Sequence, residues 1–188
     1  MLIIPGIIAS SYPRVSNSYE SIATVTVGAG GSSSISFTSI PSTYKHLQVR
    51  MLSRSTRGAA TADAWFQINS DTGSNYAHHD LSGNGSAASA GANSGTTNIY
   101  YSFTISNIPA STATSGIFGG QVLDILDYAN TSKYKTTRML GGFDANGSGS
   151  VYLSSGLWQS TSAINSLTFY TISNWAQYTQ FALYGVKG

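Results

Sequence analysis

The residues of this chain most suited to chemistry are the run His78-His79-Asp80. Histidine and aspartate together can transfer protons or bind a metal ion, but a zinc site needs three or four ligands at set spacings. The nearest residues of suitable type are His46 and Asp71, and their spacing matches no standard ligand pattern. We therefore expect the run to form local hydrogen bonds, and we predict no metal site and no cofactor.

Carboxylates are scarce for an enzyme that cleaves sugars, since that reaction uses two of them facing each other across a cleft. Glu20 is the one glutamate, and Asp124 and Asp127 are the closest pair of aspartates. In a strand, residues three apart point to opposite faces of the sheet. The serine-nucleophile motif G-x-S-x-G and both glycine-rich phosphate-binding motifs are missing from the sequence. We therefore predict no enzymatic activity.

The stretch from Asp144 to Gly149 resembles the first half of an EF-hand calcium loop, with Asn146 and Ser148 at the next two ligand positions. The twelfth position should be a bidentate glutamate, but it is Ser155. A hairpin turn at Asn146-Gly147 explains the same residues. The turn is the preferred interpretation, and a weak exposed cation site is the alternative.

Aromatic residues are numerous, with 12 Tyr, 7 Phe and 3 Trp. Exposed rings such as Trp158, Tyr76 or Trp175 would stack on sugars, but Tyr and Trp also favour protein cores and interfaces, which is the use we prefer. The candidate surface contacts are Tyr76, His78, His79, Asn84, Asn93 and Trp158.

The composition describes a polar but nearly uncharged surface, because charged residues make up 9% of the chain against about 25% in ordinary proteins. Such a surface packs against neighbours with little desolvation cost. The basic residues are scattered except at Arg50, Arg54 and Arg57, so we predict no nucleic-acid partner. The chain has no cysteine, which excludes disulfides.

The elements that position these residues are predicted to be β-strands, because short alternating runs recur between Gly, Ser and Asn. We predict an all-β fold, a single antiparallel β-sandwich of jelly-roll type, over residues 19–188. The predicted strands are Ser21–Gly28, Ser33–Thr38, His46–Ser53, Ala64–Asn69, Asn98–Ile105, Gln121–Leu126, Lys135–Leu140, Ser150–Ser155, Ser166–Ile172 and Gln180–Val186.

The connections carry recognisable turn residues. Hairpin turns are predicted at Ala29–Gly31 and at Asn146-Gly147. Ser82–Thr97 is low in complexity and is predicted to be a long exposed loop. One short helical turn is predicted within Asp127–Lys135.

Residues 1–18 are predicted to be an N-terminal docking arm. The apolar stretch ends by Ala9 and is broken at Pro5-Gly6, and no basic residue precedes it, so we expect neither a signal peptide nor a membrane anchor. Burying the arm's aliphatic residues contributes on the order of 8–15 kcal/mol, while ordering its backbone costs on the order of 14–28 kcal/mol. Docking therefore needs main-chain hydrogen bonds or several linked copies as well. The predicted docking residues are Leu2, Ile3, Ile4, Pro5, Ile7, Ile8, Tyr12 and Arg14.

Four segments together resemble small β-rich virion proteins of tailed bacteriophages: Tyr19–Arg50, Phe66–Leu81, Leu123–Gly142 and Gln180–Gly188. The resemblance implies a capsid decoration or cement protein, or the head of a fibre or part of a baseplate. It also implies a homo-oligomer, often a trimer, that joins the virion in the host cytoplasm.

The expected function is a capsid decoration protein that docks on the major capsid protein or other virion proteins and stabilises the shell. The alternative is a tail fibre or baseplate domain that binds host glycans. A polysaccharide-degrading enzyme is the third and least favoured hypothesis, because the carboxylates are scattered.

Overall fold

The structure, a computed structural model, describes residues 18–188, which contain fourteen β-strands and no α-helix. The strands are β1 (Tyr19–Thr26), β2 (Ser32–Phe37), β3 (His46–Ser53), β4 (Thr61–Ala62), β5 (Ala64–Ile68), β6 (Tyr76–Gly83), β7 (Ala88–Thr96), β8 (Ile99–Tyr100), β9 (Ile108–Pro109), β10 (Gly119–Leu126), β11 (Lys135–Asp144), β12 (Gly149–Trp158), β13 (Leu167–Trp175) and β14 (Gln180–Val186). The predicted docking residues from Leu2 to Arg14 lie outside the described residues.

The strands form two principal sheets in which all pairings are antiparallel. The large sheet has eight strands in the order β1-β14-β3-β10-β11-β12-β6-β7, and the small sheet has four in the order β2-β13-β5-β8. A further pair, β4-β9, stands beside them. The predicted antiparallel β-sandwich is confirmed, while the finer jelly-roll assignment stays a prediction.

The core lies between the two sheets and follows the period-2 alternation of side chains along each strand. Phe181 of β14 meets Phe169 and Trp175 of β13, with ring centroids 5.1 and 5.0 Å away in edge-to-face geometry. All three rings are fully buried. Contacts of this kind, repeated along facing strands, hold the two sheets packed face to face.

The hairpin at Asn146-Gly147 is confirmed. It joins β11 to β12, and Asn146 and Gly147 have φ angles of 58° and 108°, the left-handed values that a type I′ turn requires. Asp144 accepts a hydrogen bond from the Asn146 backbone N–H at 2.7 Å. The residues that resemble half a calcium loop therefore build a tight turn.

The prediction of a hairpin at Ala29–Gly31 is wrong. The turn is real, with φ angles of 92° at Gly30 and 77° at Gly31, but β1 pairs with β14 in the large sheet and β2 pairs with β13 in the small one. The chain crosses between sheets here, because each of the two strands finds its partner in a distant segment.

The prediction of a long loop over Ser82–Thr97 is also wrong. Most of this segment is β7, an edge strand paired with β6, although its side chains are small and mostly exposed. Strand β6 is not among the predicted strands. In the reverse direction, the strand predicted over Asn98–Ile105 shrinks to the two residues of β8, and Asp127–Asn130 forms a hydrogen-bonded turn in place of a helical one.

Candidate interaction surface

The run His78-His79-Asp80 lies on β6, whose alternation sends neighbouring side chains to opposite faces of the large sheet. His79 is exposed on the outer face, whereas His78 and Asp80 point inward and are 1% and 6% exposed. The three side chains therefore do not form one cluster. The prediction that His78 contacts a partner at the surface is wrong.

Asp80 fixes an irregular segment of the chain to the inner side of β6. Its carboxylate accepts hydrogen bonds from the Ser102 hydroxyl at 2.7 Å, from the Thr104 hydroxyl, and from the backbone N–H groups of Phe103 and Thr104. A buried carboxylate needs several such donors to offset its loss of hydration. The side chain best suited to catalysis by type is thus fully occupied by a structural role.

His78 is packed between Tyr100 and Phe103, with ring centroids 6.0 and 5.6 Å away. Neither ring nitrogen has a hydrogen-bond partner among the described residues. Burial lowers the pKa of His78; the Asp80 carboxylate acts in the opposite direction, and His79 adds to the lowering. The ring is therefore held in its neutral form.

This burial predicts a loss of stability in mild acid. Because the pKa of His78 is lower in the folded chain than the value of about 6.5 in an unfolded one, the unfolded state takes up the proton first as the pH falls below that value. The free energy of unfolding should decrease between about pH 7 and pH 5, as measured by urea denaturation. A His78→Leu variant should show a smaller decrease over the same interval, and an equal decrease would contradict the assignment.

The remaining acidic residues are dispersed, and the two considered as a possible catalytic pair, Asp124 and Asp127, bind different basic side chains. Asp124 accepts hydrogen bonds from Gln48 and Arg138, each at 2.9 Å. Asp127 follows the last residue of β10. A hydrogen bond from Lys133, and to a smaller extent one from Lys45, lowers the pKa of its carboxyl to about 2. Among residues 18–188 no group of three or more potential ligands is placed to bind a metal ion.

Three of the aromatic candidates prove to be interior residues. Tyr76 is fully buried, and its hydroxyl bonds to the backbone of Ile68 and Asp71. Trp158 is 3% exposed and donates its indole N–H to Asp71 at 2.7 Å. Trp175, a possible sugar-stacking ring by its type, is fully buried as well. The prediction that Tyr76 and Trp158 contact a partner at the surface is therefore wrong.

Asn84 and Asn93 lie nearer the surface, Asn84 in the turn between β6 and β7 and Asn93 on the edge strand β7. The Asn84 side chain accepts hydrogen bonds from the backbone N–H groups of Ser86 and Ala87, both at 2.9 Å. Asn93 accepts one from Ser94. These side chains shape the edge of the large sheet, and their role as contacts stays a prediction.

The most unusual surface is an apolar row that runs across the outer face of the large sheet. The row passes through five consecutive strands, β10, β11, β12, β6 and β7, in direct cross-strand register. We call it the outer-face band, and its members are Val122, Leu140, Leu153, Leu81 and Ala90. The four larger side chains are 37%, 58%, 48% and 56% exposed.

A second row beside the band consists of small or aliphatic residues. It contains Gly120, Gly142, Val151, Gly83 and Ala88 in register. A Cβ placed on Gly120 would meet nothing within 4 Å, so the row is open at this end, whereas a Cβ on Gly142 would clash with the backbone of Ser150. A shallow groove of about 670 Å³ lies here, between Val122 and Leu140 on one side and the β11–β12 hairpin on the other.

The two rows together contain no charged or hydrogen-bonding side chain. At strand spacings of about 4.8 Å, five strands cover about 19 Å, and two rows make an apolar patch on the order of 300 Å². The largest apolar patch on a soluble protein is typically about 300–600 Å² and is often functional. The band is missing from the sequence-based candidates, although paired apolar neighbours such as Val122-Leu123 and Met139-Leu140 signal strands that are apolar on both faces.

A polar row borders the band on its other side. It contains Gln48, Asp124, Arg138, Ser155 and His79 in register. Arg50, next to Val122 at the end of the band, stacks over the rings of Tyr19 and Tyr184 at 5.3 and 5.1 Å. An apolar centre with a hydrogen-bonding rim is the usual anatomy of a protein–protein interface.

No protein-family model, curated protein or solved structure matches this chain. Its own surfaces therefore carry the information on its role. Within residues 18–188, no helix is long and apolar enough to cross a membrane.

Proposed function

We propose that this chain is a structural protein of a bacteriophage particle, a capsid decoration or cement protein that docks on the shell and stabilises it. The observation that carries the proposal is the outer-face band, an exposed apolar surface on a molecule whose charged content is 9%. A surface that combines an exposed apolar band with few charges suits a protein packed among neighbours, because little charge has to be desolvated and little charge repulsion keeps the molecules apart.

A further observation supports a structural role over an enzymatic one. The carboxylates best suited to chemistry already have structural partners: Asp80 accepts hydrogen bonds from hydroxyl and backbone donors, and Asp124 and Asp127 pair with separate basic side chains.

Deletion of residues 2–14 tests the docking role of the arm. We expect the 188-residue chain to co-sediment with phage capsids, and the truncated chain to remain in the supernatant, because the deletion removes both the arm's aliphatic residues and the backbone groups that would pair with the partner. Circular dichroism should report an unchanged β-fold, since strand β1 begins only at Tyr19. Full occupancy of capsids by the truncated chain would contradict the proposal.

One observation favours a second candidate, the glycan-binding fibre or baseplate domain. On the outer face of the small sheet, Trp65 lies between Tyr170 and Tyr100 in cross-strand register, with ring centroids 6.1 and 5.7 Å away. All three rings are partly exposed. Binding of the isolated chain to host glycans, lost on Trp65→Ala, would favour this candidate over capsid decoration.

A further inference from the structure

We propose that the outer-face band is the centre of a contact between two copies of this chain, which pack face to face through their large sheets. This contact does not depend on the particle role proposed above. The residues that form it all lie within 18–188, and the partner of the band is a second copy of the same chain.

The area of the face fits a second copy. The six strands from β3 to β7 in the sheet order cover about 24 Å at normal spacing, and strands of eight to ten residues are at least about 25 Å long. Their outer face therefore offers on the order of 600 Å², the lower end of the roughly 600–1,000 Å² per partner of a stable interface. The apolar patch alone is too small for this, so the polar row must take part as the rim.

The charges of the face are compatible with a copy of itself. Asp124 and Arg138 form an ion pair at 2.9 Å within the polar row, so that row carries no net charge from these two residues. Arg50 is stacked on two tyrosine rings at the end of the band. The Asp124–Arg138 pair can therefore be covered without leaving a charge unpaired. The guanidinium of Arg50, which donates to Gln48 at 2.9 Å but has no carboxylate partner among the described residues, lies at the end of the band, where the rim of the contact leaves it open to water.

The register of the band also fits two-fold symmetry. A two-fold axis parallel to the strands, passing between β11 and β12, places Leu140 opposite Leu153 of the second copy and Val122 opposite its Leu81. The same axis places Arg50 opposite the small side chain of Ala90 at the edge. Sheets that pack in this way lie about 10 Å apart, with their side chains interdigitated.

The test is the mass of the 188-residue chain in solution, by size-exclusion chromatography with light scattering. We expect the mass of two chains, and we expect Leu140→Asp and Leu153→Lys each to weaken association at least about tenfold and give the mass of one chain. Both residues are about half exposed, so the fold should survive, as circular dichroism will report. Ser36→Asp, an exposed position on the outer face of the small sheet, should leave the pair intact.

Mixing the two charged variants, Leu140→Asp and Leu153→Lys, provides a sharper readout. The proposed axis brings position 140 of one variant against position 153 of the other, so the introduced carboxylate meets the introduced ammonium group. The mixture should therefore recover a heterodimer that neither variant forms with itself. A chain that is monomeric at all concentrations would overturn the proposal. So would a trimer insensitive to Leu140→Asp, or an association lost on changing Ile3 and Ile4 to serine but not on changing the band.

Discussion

Replacing Asp80 with alanine should lower the free energy of unfolding by about 3–5 kcal/mol, the largest effect we expect from any single polar substitution in this chain. The carboxylate accepts four hydrogen bonds from Ser102, Phe103 and Thr104. Alanine removes every acceptor at once and leaves the hydroxyl of Ser102, a residue that is 2% exposed, with only a long contact of 3.5 Å to the Thr104 hydroxyl. Urea denaturation followed by tryptophan fluorescence measures the change.

Two companion variants separate the causes of this loss. Asp80→Asn keeps the shape of the side chain but replaces one acceptor oxygen with an NH₂ group that faces hydrogen-bond donors. Its free energy of unfolding should therefore lie between those of Asp80→Ala and the unmodified chain. Asp144→Ala removes an exposed carboxylate with one backbone hydrogen bond and should cost about 1 kcal/mol or less. A loss below about 1 kcal/mol for Asp80→Ala would mean that the 102–104 segment is not held by the carboxylate.

The same residue illustrates what sequence can and cannot supply about this protein. The alternation of apolar and polar residues predicts most strands of the sandwich, because a strand buried on one face must repeat with period 2. The pattern fails at β7, where small residues such as Ala90 and Gly91 leave no apolar signal and pairing with β6 decides the outcome. The structural role of Asp80 cannot be predicted from the sequence, because its hydrogen-bond partners lie more than twenty positions away.

The outer-face band cannot be predicted from the sequence for a related reason. Each member of the outer-face band is an ordinary aliphatic residue in its own strand, and only the order of strands in the sheet aligns them. That order joins β12 to β6 and β10 to β3, which are far apart in sequence. Local periodicity indicates which residues share a face of one strand, but it contains no information on which strands are neighbours.

The aromatic candidates failed because large rings serve both cores and binding sites. Tyr76, Trp158 and Trp175 are all buried, with their polar atoms bonded to the protein itself. By contrast Trp65 is partly exposed, and no sequence signal distinguishes it from the other two tryptophans. Burial of an aromatic ring is decided by the sheet face it occupies.

The second large effect is expected at Lys135, which has no exposed surface although it is a lysine. Its ammonium group donates hydrogen bonds to the backbone carbonyls of Lys133, Ser160 and Thr161, at 2.9, 3.4 and 3.1 Å. These bonds tie the segment before β11 to the connection between β12 and β13. Burial lowers the pKa of Lys135, and the neighbouring charge of Lys133 adds to the effect.

Lys135→Met should therefore reduce the free energy of unfolding by about 2–3 kcal/mol, because methionine fills the space of the stem but leaves three carbonyls without their donor. Lys133→Met is the matched control: the same change two residues earlier removes only an exposed ion pair with Asp127 and should cost less than about 1 kcal/mol. Chemical denaturation of both variants shows whether the three hydrogen bonds of the ammonium group outweigh the cost of burying its charge. If Lys135→Met is as stable as the unmodified chain, the cost of burying the ammonium equals the gain from its three bonds, and the connection is held by apolar packing at Ile164 instead.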